Sequence, residues 1–371
     1  MKPGEVQIGA VHRNVASYTN LARVLRDREL EARLGLELHP LPSPLVEDLL
    51  RRLSSAWDAL AVKSSGQSSD AGTSSGKSAS AMPEIRKAQW IQEVQEKSLR
   101  GVLGAPLTDQ QRRTIDEQLL IRYSQAIELD EKPRLLIPVR ECGERMVDLV
   151  EVLSRDGLPH SLSETTFHAA CGSYAGKPRI FWCRAGVADR FSQFARGCLG
   201  AEVVPHLEDV FRPREVQAGL YQRRYRLIRD EHPHWSKEQV RDETNAKTAP
   251  TPFRAAHMGG AAIDVTLRDL GGKPLPLGNA YPVGGCATVL AFPYVTAPEW
   301  FTRVLFEGLA TLAGLVPYPG EDWHVSFGDS LAALLTGAPE IQYGAIEGFD
   351  SSTGEVFPYP AERMHEEFPL L

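Results

Sequence analysis

Phe253-Arg254-Ala255-Ala256-His257-Met258-Gly259-Gly260-Ala261-Ala262-Ile263-Asp264-Val265-Thr266-Leu267 is the stretch on which the reading of this chain turns. Ile263, Val265 and Leu267 alternate with Asp264, Thr266 and Arg268, which is the period of a strand, and its polar side carries Asp264. His257 lies seven residues earlier, an odd separation that would put it on the opposite face of an unbroken strand. Gly259-Gly260 resolves this, because paired glycines permit a turn or bulge that swings His257 to the side of Asp264. An imidazole and a carboxylate converging on one point are suitable ligands for zinc. Taken alone, a His and an Asp flanking glycines are as readily explained by chance.

A second stretch supplies what the first lacks. In Tyr318-Pro319-Gly320-Glu321-Asp322-Trp323-His324-Val325-Ser326-Phe327-Gly328-Asp329, a Glu stands three residues before a His, so a helical turn or compact loop points both into one cavity. His324 would be the third zinc ligand, leaving a fourth position for water as catalytic sites require. Glu321 would be the general base that takes the proton of that water and later passes it to a leaving amine. Singly, Glu321 reads equally well as a surface carboxylate and His324 as a core histidine beside Trp323. The joint pattern carries the argument.

Outward from these segments, short apolar runs such as Leu135-Leu136-Ile137-Pro138-Val139 and Ile180-Phe181-Trp182-Cys183 read as strands. They mix with helical segments over 187–199 and 214–229, which predicts an α+β domain spanning 133–371. Upstream the texture is helical. After Ser43-Pro44, the residues Val46, Leu49, Leu50, Leu53, Trp57 and Leu60 recur at helical steps, giving an amphipathic N-terminal segment over 1–63. Eight serines and three glycines among the nineteen residues 64–82 mark a flexible linker. A helical connecting segment fills 83–132, with helices over 85–99 and 109–129, the second capped by Thr108 and carrying Ile115, Leu119, Tyr123 and Ile127 on one face.

Composition excludes several classes. The 371 residues hold 41 Lys plus Arg against 48 Asp plus Glu, a net charge of −7, with 42% hydrophobic residues, as in ordinary globular proteins. That balance argues against nucleic acid as a partner. The longest apolar stretches fall short of the ~20 residues needed to cross a bilayer, so no membrane partner is expected. No apolar run follows the amino-terminal charges as in a signal peptide, and the five cysteines, odd in number and without CxxC pairs, read as free thiols. Both point to a cytoplasmic location.

The segments His257-Met258-Gly259-Gly260-Ala261-Ala262-Ile263-Asp264 and Glu321-Asp322-Trp323-His324 resemble the HxxGxAxD and ExWH signatures of the D-alanyl-D-alanine dipeptidase family, the VanX type of zinc metallopeptidases. Asp209-Val210-Phe211-Arg212-Pro213 resembles that family's D-x-Y/F-R-P motif, and Arg140-Glu141-Cys142-Gly143 and residues 181–194 are similar, less specifically, to its first strand and helix. The resemblance covers roughly 133–371. It implies the hedgehog and D-Ala-D-Ala peptidase fold group, a small antiparallel sheet flanked by helices with zinc on its concave side. It implies zinc on His257, Asp264 and His324, Glu321 as acid and base, and Arg212 steadying the charge on the attacked carbonyl. A fixed guanidinium is independently a good oxyanion donor, although Arg212 is one basic residue among 41.

Departures from the family pattern bear on substrate. Ala255-Ala256 replaces a serine or Ser-Pro before the metal histidine, Pro282 stands where the family holds the substrate's ammonium with an aspartate, and Asp322 replaces an aromatic. The expected activity is zinc-dependent hydrolysis of a small dipeptide containing D-amino acids. The alternatives are a D,D-carboxypeptidase, a biosynthetic relative with a changed substrate, or a zinc-containing binding protein without turnover. The amphipathic N-terminal helices would serve either self-association or packing on the zinc domain.

Overall fold

The computed structural model describes residues 25–66, 82–98, 101–283 and 285–370. The predicted linker over 64–82 lies almost wholly outside the described residues, as does the stretch read for a signal peptide. Among the described residues no helix is long and apolar enough to cross a membrane, and all five cysteines are free.

Helix α1 (Arg28–Leu34) is capped by Asp27, whose side chain accepts from the backbone of Glu29 and Leu30. Strand β1 (Leu38–Pro40) leads to α2 (Ser43–Gly66), then α3 (Met82–Ser98) and β2 (Gly101–Leu103), which pairs antiparallel with β1. Helix α4 (Asp109–Glu131) starts as its sequence dictates. Thr108 Oγ1 accepts from the backbone of Gln111, and the Gln111 side chain accepts from the backbone of Thr108.

The α2 stripe does not face solvent. Leu49, Leu53 and Ala56 are buried in one continuous core with Phe194 and Phe306 from the later part of the chain. Small residues permit the approach: a Cβ on Gly200 would lie 2.9 Å from the Ser55 carbonyl oxygen, and one on Gly308 would lie 2.9 Å from Leu53.

Beyond α4 the structure is mixed α and β, with small sheets among helices. Strands β3 (Met146–Asp148) and β5 (Trp182–Arg184) form an antiparallel pair, with α5 (Leu149–Arg155) and β4 (Ser161–Leu162) between them in sequence. Helix α6 (Ala185–Gly200) follows, then β6 (Val203–Asp209), α7 (Arg214–Glu231), α8 (Lys237–Lys247), β7 (Ala262–Asp269), α9 (Ala297–Leu312), β8 (Val316–Pro317), β9 (His324–Ser326) and α10 (Ser330–Thr336). The chain closes with the β10 (Ile346–Phe349) and β11 (Val356–Pro358) hairpin.

The central sheet has five strands in the order β4-β6-β7-β9-β8, antiparallel except for β4 on β6. Its register puts Asp264 opposite both Asp209 and His324, so one cross-strand row carries three groups of the candidate site.

The run Leu135–Val139 is not the strand that its composition predicts. Residues 132–136 form a 3-10 turn, and Val139 makes only an isolated bridge to Ile341. Pro133 and Pro138 cannot donate to a ladder, and Leu136 is 86% exposed, so the run has neither the hydrogen bonds nor the burial of a sheet strand.

Candidate metal centre

Strand β7 begins just after a tight turn. Residues 256–259 form one 3-10 turn closed by Gly260, whose φ of +65° is the left-handed conformation that glycine adopts without penalty. A Cβ there would lie 2.5 Å from the Met146 sulfur. The turn brings His257 to Asp264, as the glycine pair predicts, and two backbone ties hold it to the segment after β6. His257 Nδ1 donates to the Val210 carbonyl at 2.6 Å, and the Arg212 amide donates to the His257 carbonyl at 3.3 Å. Because a carbonyl only accepts, Nδ1 carries a proton, which leaves Nε2 as the ring nitrogen that can turn to a metal ion.

The second segment folds into a compact turn in which the His324 amide donates to the Glu321 carbonyl. His324 then opens β9 beside Asp264. The structure thus brings His257, Asp264, His324 and Glu321 together. Asp264 Oδ1 lies 3.2 Å from His257 Nε2 and 2.9 Å from His324 Nδ1, and the ligand atoms of the three residues are all within 4.8 Å of one another. Donors bound at zinc distances of 2.0–2.1 Å in tetrahedral directions stand about 3.3 Å apart, so these separations fit a shared metal ion. Two imidazole nitrogens and one carboxylate oxygen, all buried, are a suitable donor set. Among the described residues no other group of three such side chains converges in this way.

Glu321 Oε2 is 3.8 Å from His324 Nδ1. Its side chain keeps 26% of its surface open to the cleft, yet burial of the rest pushes its pKa up to about 7, against the pull of His324. Asp264 behaves oppositely. Its burial opposes ionisation, but His257, Arg212 and the hydrogen bonds of both imidazoles hold its carboxyl well below the usual range.

Arg212 lies in the site, tied to the Asp264 carboxylate. Its Nε donates to Asp209 Oδ2 at 2.8 Å and its Nη2 to Asp264 Oδ2 at 2.7 Å. Arg179 braces the same Asp209 at 2.7 Å. Tyr281, unassigned in the sequence reading, donates its hydroxyl to Asp264 Oδ2 at 3.1 Å and stands edge-on to Trp323. Its position in the segment before Pro282 was the available signal.

Asp322 has a structural reason to depart from an aromatic. It is buried, 2.8 Å from Arg303, and Asn279 donates to it at 3.4 Å. Arg303 is also buried and donates to the carbonyls of Leu277, Ala287 and Val289, which fixes the 277–289 loop against the turn carrying Glu321. Nothing in the local spacing announces this pair, because its members come from α9 and the β8–β9 turn.

Arg212, His257, Asp264, Tyr281, Glu321 and His324 line a cleft of about 180 Å³, with Arg223, Arg224, Pro282 and Tyr318 also on its walls. Among known proteins, no family model matches the chain. It is 27% identical over 233 residues to a protein named D-alanyl-D-alanine dipeptidase from Synechocystis sp., a match that spans 54% of this chain and 89% of that protein. At that distance the match supports the resemblance carried by the motifs without placing the chain in the family.

Proposed function

We propose that the chain is a zinc-dependent hydrolase of small peptides containing D-amino acids. The observation that carries this reading is the convergence of His257, Asp264 and His324 with the Glu321 carboxylate beside them. The distant relative named a dipeptidase supports the same reaction class.

The three side chains would hold the ion, with His257 oriented by the Val210 carbonyl and Asp264 by Arg212 and Tyr281. When bound, zinc supplies a Lewis acid and makes water nucleophilic at neutral pH. Glu321, open to the cleft, takes the proton of the attacking water on its carboxylate and returns it to the leaving amine. Arg212, whose Nε and Nη2 bond to carboxylates, keeps its Nη1 donors for the developing oxyanion. A purely structural zinc site requires neither Glu321 nor Arg212, which favours turnover over a binding protein without catalysis.

Pro282, where a substrate-binding aspartate is expected, favours a changed substrate over free D-alanyl-D-alanine, and a D,D-carboxypeptidase is the second reading. Incubation of the zinc-loaded chain with D,D-, L,D- and L,L-dipeptides tests the proposal. Release of amine from D-containing peptides, reduced about 10²- to 10⁴-fold by Glu321→Gln, is the expected result. Equal release by wild type and Glu321→Gln contradicts it.

A further inference from the structure

The charges on the cleft walls are unequal. Of the carboxylates lining it, Asp209 is held by Arg179 and Arg212, and Asp264 by Arg212 and both imidazoles. Asp329 is 2% exposed; its Oδ1 caps α10, and its other oxygen is buried. Only Glu321 is accessible, and the proposed reaction uses it. An ammonium group entering the cleft therefore meets no free counter-charge, and Pro282 adds none.

The cations are placed differently. Gln217, Leu220, Arg223 and Arg224 follow one another at helical spacing on α7, and all four line the cleft. Neither Arg223 nor Arg224 makes a hydrogen bond or an ion pair with any described residue. Arg224 is half-buried, its charge interacts with that of Glu321, and desolvation lowers its pKa from the ordinary arginine value. A partly desolvated guanidinium with its donors uncommitted costs stability unless an anion completes it. Its planar fork matches a carboxylate.

We propose that Arg224, backed by Arg223, determines specificity by taking a carboxylate of the substrate, and that the cleft admits peptides whose amino end is blocked rather than a free ammonium. This rests on the hydrolase reading for the identity of the ligand as a peptide. Arg223 lies nearer solvent and adds long-range attraction rather than a fixed contact.

The test measures binding to zinc-loaded Glu321→Gln by calorimetry, so that turnover does not intervene. The probes are N-acetyl-D-alanyl-D-alanine, its carboxy-terminal amide and unblocked D-alanyl-D-alanine. The acid should bind about 10- to 100-fold more tightly than the amide, as expected for a charge-assisted contact. Freeing the amino group should not tighten binding. Adding Arg224→Gln should erase the preference for acid over amide, and Arg224→Lys should restore part of it; melting temperatures of both variants establish folding. An acid-to-amide ratio unchanged by Arg224→Gln overturns the inference. So does tighter binding of the unblocked dipeptide. If wild type still hydrolyses dipeptides in either case, the hydrolase reading survives. Acid-selective binding that depends on Arg224, with no hydrolysis of any probe by wild type, has the opposite consequence. Absence of binding by all three peptides overturns both.

Discussion

Glu321 joins two properties that a general base needs, access to the cleft and a carboxyl raised toward neutrality by burial. Its pH signature has a definite sign. The carboxylate form must be present, so kcat/KM falls as pH drops through the pKa of Glu321. That limb should lie above the ordinary value of 4.5 and at or below about 7, because a cation bound nearby favours the carboxylate. A pH–rate profile flat from pH 4 to 8 would remove Glu321 from the role. At this scale the sequence was informative where chemistry is local. His257 and Asp264 are separated by a glycine pair that only one backbone turn explains, and Glu321 and His324 share a single tight turn. Arg224 and the Arg303–Asp322 pair were not legible, and Tyr281 had only its place beside Pro282 to mark it. Their partners are far away in the chain, and no periodic pattern singles out one arginine among the many.

Among the elements, β6 joins the site to the sheet and carries a titratable group of its own. His206 bonds to Ser161 on β4 at 2.8 Å, and Arg268 on β7 donates to its Nε2 at 3.1 Å. Arginine only donates, so Nε2 accepts, Nδ1 carries the proton, and the ring is neutral. Burial, with Arg268 adding to it, pushes the His206 pKa down from 6.5 to about 4. The folded state thus resists a proton that the unfolded chain accepts. The resulting stability is present above pH 6.5 and is lost as pH falls toward 4, on the order of 3 kcal/mol in full. Thermal melts should show this loss, and His206→Gln should flatten the slope between pH 6.5 and 4. An identical slope in the variant would assign the acid sensitivity elsewhere. Long helices with a regular apolar face, α2, α4, α6 and α7, could be read from sequence to within a few residues. The 135–139 run could not, because short apolar runs look alike whether they enter a sheet or cross the surface as a proline-bracketed turn.

Across the whole molecule, the N-terminal helices share a core with the half that holds the site. Leu53 is fully buried against the place where Gly308 lacks a side chain, and Ala56 and Ser55 meet Gly200. Leu53→Ala should therefore cost about 2–5 kcal/mol and lower the melting temperature of the whole chain as one transition. A separate low-temperature transition, with the main one unmoved, would mean that the N-terminal helices unfold on their own. The mixture of helices with small sheets was legible at this scale, since alternation of strand and helix patterns is a local property. The shared core was not, because an amphipathic stripe shows that a helix needs a partner but does not say which one.

His257, Asp264 and His324 stand close enough together to hold one divalent ion. Metal content of the purified full chain, measured by mass spectrometry after reconstitution with zinc and removal of excess, tests it most directly. One zinc per chain, lost in folded His257→Ala and retained in Glu321→Gln, is the result the geometry predicts. Zinc retained unchanged in His257→Ala, or none bound by the wild type, would contradict it.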